Sequence, residues 1–136
     1  MSGSFFLDTN ILVYAYSNTD PVRSPIAQQL NRPQEGWIST QVLTELANVL
    51  ARKFKASWPN ICLIVENIDG NFPVHCNTAV TIAHATRLAD RYGFSWFDAL
   101  IVAAALECGC ETLYSEDLRH GQLIEGSLRV VNPFLP

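Results

Sequence analysis

A chain of 136 residues is the size of one domain, and folding at that length buries about two-thirds of the surface the unfolded chain would expose. Apolar residues at 49% against charged residues at 16% exclude a disordered chain, and nine Lys plus Arg against thirteen Asp plus Glu, a net charge of −4, exclude a polybasic binder of nucleic acid or membrane. Any contact with nucleic acid must then come from a local basic patch.

The longest apolar run, 99–106, is about half the ~18 to 20 residues that span a bilayer. No basic residue precedes Phe5-Phe6-Leu7, unlike a secretory leader. A soluble protein of the cytoplasm is expected. Cys62, Cys76, Cys108 and Cys110 include no C-x-x-C pair and read as reduced thiols in or near the core. A zinc site on Cys108 and Cys110 with His75, His84 or His120 is disfavoured by the single-residue spacing.

In chain order, Phe5-Phe6-Leu7 is a short apolar strand ending at Asp8, and 10–16 continues as a helix. Asp20-Pro21 marks a turn before a second helix over 25–30. Trp37-Ile38-Ser39-Thr40 is a brief strand, and 41–54 a helix with Val42, Leu46, Val49 and Leu50 on one face. The segment 59–68 suits a helix with Pro in its first turn and Gly70 to end it. Pro73-Val74-His75-Cys76 is a strand, 78–92 a helix closed by Gly93, and 97–108 a helix closed by Gly109. That last helix is apolar on every side and should be central and buried. Thr112-Leu113-Tyr114 and Leu128-Arg129-Val130-Val131 complete the strands. Short apolar strands alternating with helices predict an α/β fold: a three-layer sandwich with a short central parallel sheet flanked by helices, one domain over 1–136.

Ligands of such sheets bind beyond the carboxyl ends of the strands, which singles out Asp8 after the first strand and Glu116 and Asp117 after Thr112-Leu113-Tyr114. Glu45 sits at the edge of an apolar helical stripe, and Asp98 interrupts Trp96-Phe97-Asp98-Ala99-Leu100-Ile101. Carboxylates held together repel unless a cation intervenes, and Mg²⁺ or Mn²⁺ suits their hard oxygens. Each acid also has a structural reading. Asp98 completes a capping-box pattern with Ser95, Asp8 is a turn residue or N-cap, Glu45 is a solvated boundary residue, and Asp117 caps a turn or helix at Leu118.

Taken together, Leu7-Asp8-Thr9-Asn10-Ile11-Leu12-Val13-Tyr14-Ala15, Ser39-Thr40-Gln41-Val42-Leu43-Thr44-Glu45, Trp96-Phe97-Asp98-Ala99-Leu100-Ile101-Val102-Ala103-Ala104-Ala105 and Tyr114-Ser115-Glu116-Asp117-Leu118 resemble the four acidic motifs of PIN-domain nucleases. The small size is similar to that of VapC-type toxins of toxin–antitoxin pairs. The resemblance implies an endoribonuclease, usually a homodimer, that uses Mg²⁺ or Mn²⁺ and is silenced by an antitoxin. It carries the metal-binding roles to Asp8, Glu45, Asp98 and Asp117, with Asn10 and Ser115 in support. Of the adjacent acids, the family pattern selects Asp117 to face the metals, with Glu116 pointing to solvent or the RNA path. Arg52, Lys53 and Lys55 cluster past Glu45, and Arg87, Arg91 and Arg119 are further candidates for phosphate contacts.

A stand-alone RNA-processing PIN nuclease and a catalytically silent RNA-binding or assembly module are the alternatives. A haloacid-dehalogenase-type phosphatase needs an Asp where Asn10 stands. A receiver domain needs a Lys near its last strand, yet the only lysines are Lys53 and Lys55.

Overall fold

Phe5-Phe6-Leu7 offers no polar side chain to either face. In the computed structural model, which describes residues 3–32 and 35–136, it forms a strand buried along its whole length, β1 (Phe5–Leu7). The chain continues as α1 (Thr9–Ser17), α2 (Arg23–Leu30), β2 (Gly36–Ser39), α3 (Thr40–Arg52), α4 (Trp58–Asn71), β3 (Val74–His75), α5 (Ala79–Tyr92), α6 (Trp96–Glu107), β4 (Thr112–Tyr114), β5 (Leu123–Ile124) and β6 (Leu128–Val131).

The strands join in one sheet of order β3-β2-β1-β4-β6-β5, parallel except for the antiparallel pair β5–β6. Helices flank it, as the alternating pattern predicts, with α1 packed on α2 and α3, α3 on α4, and α5 on α6. The chain steps outward from β1 to β2 and β3, then returns to place β4 on the other side of β1. The crevice between β1 and β4 is therefore the switch point at which such sheets bind ligands.

Helix α6 is the buried element its composition predicts, with every residue from Ala99 to Ala105 out of solvent. Its mean hydropathy needs no amphipathic face, and the three consecutive alanines let α5 and β2 approach closely. Gly93 ends α5 at a φ of 75°, where a side chain would be strained.

Several expectations need correction. Gly70 does not end α4, which runs on to Asn71. The stop comes from Phe72, buried and extended, as a residue before proline must be. The strand β5 was not expected, because two residues are too few to show alternation. Glu125 and Gly126, at φ of 53° and 71°, turn the chain back from it into β6. No helix forms at Leu118. Only Cys110 is buried and Cys108 half-buried, whereas Cys62 and Cys76 are exposed, so the core reading holds for two of the thiols. Among the described residues no helix is long and apolar enough to cross a membrane.

One contact in the frame is tight enough to test. A Cβ at Gly36 would lie 2.7 Å from Phe72 Cε1 and 2.8 Å from Phe5 Cε1. Both rings are buried, so a shift of either disturbs the packing around it. Gly36→Ala is expected to destabilise the protein by about 1–3 kcal/mol through overpacking, read as a lower thermal midpoint by circular dichroism. An unchanged midpoint would mean that the β1–β2 layer is looser than these distances imply.

Candidate active site

Parallel pairing of β1 with β4 puts Leu7 beside Tyr114, so the residues that follow, Asp8 and Ser115, leave the sheet at the same end. The backbone holds them there: the Asp8 N–H donates to the Tyr114 carbonyl (3.0 Å), and the Ser115 N–H to the Val131 carbonyl (3.0 Å). Asp8 is the N-cap of α1, accepting the Thr9 N–H on Oδ1 (2.7 Å). Its Oδ2 accepts the Ser115 hydroxyl (2.7 Å), and Ser115 Oγ in turn accepts the Asp117 N–H (3.1 Å). The N-cap reading of Asp8 and its placement at the switch point are thus the same fact.

Asn10, one residue into α1, spans the crevice with both ends of its amide. Its Nδ2 donates to Asp117 Oδ2 (3.0 Å), and its Oδ1 accepts the Glu116 N–H (3.3 Å). Glu45, on α3, accepts the Thr9 hydroxyl on Oε1 (2.6 Å) and the Gln41 amide on Oε2 (3.3 Å). Gln41 also donates to the Phe97 carbonyl at the start of α6 (3.1 Å), and its own Oε1 is buried without a hydrogen-bond partner. Ser95 is the N-cap of α6 but makes no side-chain capping bond, so Asp98, at the third helical position, is not closing a capping box. Its charge reaches Asp8 instead.

The acids also act on one another electrostatically. Burial drives the Asp8 carboxyl up from 3.8 to about 7, against the lowering by the Ser115 hydroxyl and the Thr9 N–H, and the charges of Asp117 and Asp98 add to the rise. Three carboxylates, from the end of β1, the turn after β4 and α6, therefore act on one another, and among the described residues the charges that act on Asp8 are the two acids.

Mg²⁺ or Mn²⁺ fits this donor set by chemistry, since every group offered is a hard oxygen. Among the described residues, no three His, Cys, Asp or Glu side chains are close enough to hold an ion by themselves. An ion would then keep water for the rest of its shell, as Mg²⁺ does when one or two carboxylates bind it.

Glu116 borders the same end of the crevice and is half-buried, with Tyr14 OH donating to Oε1 (2.7 Å) and Arg23 Nε donating to Oε2 (2.6 Å). Burial and this bond to Glu116 push the Tyr14 phenol up to about 12, so it stays protonated and donates. Arg23 also reaches Asp20 (3.5 Å) and lies over the Tyr14 and Phe134 rings at 5.7 and 5.6 Å.

A cleft of about 750 Å³ lies between α1 and α3, lined by Asn10, Tyr14, Glu45, Lys53, Glu116 and Asp117 among others; Asp8 and Asp98 are not part of its lining. Of the predicted basic residues, Lys53 lines it. Arg52 and Lys55 are exposed next to Lys53 in the chain, and Arg119 is exposed just past Asp117. Arg87 and Arg91 instead line a separate depression with Glu125, to which Arg91 is paired at 3.1 Å.

The PIN-domain family model matches residues 5–124, which takes in all four acidic segments. The chain belongs to the PIN-domain family. Solved structures share its fold: Mycobacterium tuberculosis VapC20, a sarcin-ricin loop cleaving toxin, is 23% identical with a TM-score of 0.70 over 84% of this chain and 90% of that one. A toxin–antitoxin complex from Klebsiella pneumoniae is 23% identical at 0.71, covering 96% and 98%. DNA-bound VapBC from Salmonella typhimurium is 22% identical at 0.66, covering 96% and 97%. No curated protein sequence matches the chain.

In this PIN domain, sequence reasoning missed Thr9, Gln41, Tyr14 and Arg23 as parts of the site's framework. Thr9 was findable, since it lies between two singled-out residues. Gln41 lies one helical turn before Glu45 and had that spacing as a signal. Tyr14 and Arg23 had none, because their partner Glu116 is about a hundred residues away.

Proposed function

We propose that this PIN domain is a metal-dependent endoribonuclease that hydrolyses RNA phosphodiester bonds in the cytoplasm, the toxin of a toxin–antitoxin pair held in check by a protein antitoxin. The observation that carries the reading is the buried Asp8 carboxylate at the switch point of a PIN fold, with the charges of Asp98 and Asp117 converging on it. The kinship in fold with VapC20 and with VapBC complexes supports the toxin part of it. The whole of 1–136 acts as one nuclease domain, working as a homodimer, and light scattering at micromolar concentration should give twice the chain mass rather than the monomer mass.

Asp8, Asp98, Asp117 and Glu45 are the residues that would hold Mg²⁺ or Mn²⁺. When bound, such an ion neutralises phosphate charge and makes water a better nucleophile. The chain's own part is positioning. Ser115 and Thr9 fix both oxygens of Asp8, Thr9 and Gln41 fix those of Glu45, and Asn10 steadies Asp117 while leaving its other oxygen open to the cleft. No side-chain nucleophile is required. Lys53, which lines the α3 end of the cleft, would meet RNA phosphate there, with Arg52, Lys55 and Arg119 as outer contacts.

Purified protein should cleave structured RNA with Mn²⁺ or Mg²⁺, stop in EDTA and recover when the ion is restored. At about 100 times Kd, Mn²⁺ should also stabilise the fold by roughly 2.7 kcal/mol. Undiminished cleavage in chelator, with contaminating ribonuclease excluded, would sink the metal mechanism.

A further inference from the structure

Two acids stand side by side in the turn after β4, and both border the cleft. Their surroundings differ. Both Glu116 oxygens are occupied by donors from the N-terminal helices, Tyr14 on α1 and Arg23 on α2, at 2.7 and 2.6 Å. Asp117 is exposed, and one of its oxygens takes a single bond from Asn10 (3.0 Å). The Arg23 guanidinium also reaches Asp20 and lies against the edge-to-face pair of the Tyr14 and Phe134 rings, contacts that favour the orientation in which it meets Glu116.

We propose that Arg23, with Tyr14, restrains the Glu116 carboxylate, so that of the two adjacent acids only Asp117 keeps an oxygen free for a ligand in the cleft. Arg23 is then a positioning residue of the site. The restraint works in two ways. Pairing with Arg23 cancels a fifth negative charge beside a centre that already crowds Asp8, Asp98 and Asp117. It also anchors the side chain whose backbone N–H meets Asn10 Oδ1, which keeps the other end of the same amide on Asp117. Released, Glu116 is a longer and more flexible carboxylate within reach of the same cleft, and it competes with Asp117 for any cation there.

This rests on the metal-nuclease reading only for its consequence; the restraint itself is independent of it. The test therefore combines a metal-free readout with a metal-binding one. In ¹⁵N-labelled protein without metal, Arg23→Gln should shift the Asn10 side-chain amide and the Glu116 and Asp117 backbone amides. Arg23→Lys, which keeps a charge for Glu116, should shift them less. By isothermal titration Arg23→Gln should change the Mn²⁺ dissociation constant at least 5-fold, and the RNA cleavage rate should fall at least 10-fold with little change in KM.

The decisive arm is suppression. Adding Glu116→Gln to Arg23→Gln removes the released charge, and the double variant should return to the Mn²⁺ affinity and rate of Glu116→Gln alone. A role for Arg23 in packing on Tyr14 and Phe134 predicts no such recovery. Unmoved amide signals in Arg23→Gln, or losses in the two single variants that simply add, would overturn the inference. Moved amides in a protein that binds no Mn²⁺ would support the restraint and overturn the metal reading instead.

Discussion

In chelator at pH 8, Asp8→Asn is expected to melt at a higher temperature than the native protein while losing at least ~100-fold in cleavage rate when metal is restored. The sign follows from the raised carboxyl. Asp8 stands at about 7 when folded against 3.8 when exposed, so between those values the folded chain holds a proton that the unfolded chain releases. The stability attached to that proton is fully present below about pH 4 and is lost as pH rises through about 7, a loss on the order of 4 kcal/mol.

Asn removes the titration and keeps the bonding. Its Oδ1 accepts the Thr9 N–H, and its Nδ2 donates to Ser115 Oγ once that hydroxyl rotates. For a chain of this length the gain is on the order of 10 °C at pH 8 and none at pH 4. Mn²⁺ should close the gap by stabilising the native protein alone. A variant that melts lower than native at pH 8 in chelator would mean that Asp8 is not a burdened carboxylate and that the crevice compensates it in some other way.

Asp98→Asn should abolish cleavage, by at least ~100-fold or about 2.7 kcal/mol in the barrier, with the melting temperature nearly unchanged. Asp98 caps nothing, since Ser95 makes no side-chain bond. What Asn forfeits in stability is limited to the charge near a helix N-terminus, ~0.3–1 kcal/mol. Were Asp98 a structural residue, the variant would unfold earlier and cleave at the native rate. Measuring rate and melting on the same preparation separates the two roles.

How far the sequence exposes this site depends on whether a residue's job is local. Asp8 is legible because a strand that ends in an acid at the start of a helix defines both its cap and its place at the sheet's end. Ser115 and Asp117 are legible because they directly follow β4 at the same end of the sheet. Residues 99–105 proclaim a buried helix because nothing polar interrupts them. Glu45 shows only as a break at the edge of a stripe, since a helix pattern cannot say which neighbour covers that edge; Thr9 and Gln41 do. The partners of Glu116 are hidden because adjacency to Asp117 says nothing of a guanidinium 93 residues earlier. Gly70 misleads through a different competition: its freedom to end a helix matters less than the burial of Phe72 two residues on.

The central position of β1 has a bearing on how this protein can be made. Its partner β4 comes about a hundred residues later, and the Ser115 hydroxyl that fixes Asp8 is 107 residues away from it. A ribosome delivers Asp117, the last acid of the crevice, about a hundred residues after Asp8, the first. Until then α1 has no Asp117 opposite Asn10, and β1 has only one flank to pair with. A nascent or prematurely terminated chain consequently carries Asp8 and Glu45 without the wall that turns them into a site. The topology delays assembly until Asp117 has been made, so translation that stalls partway yields fragments lacking the complete crevice.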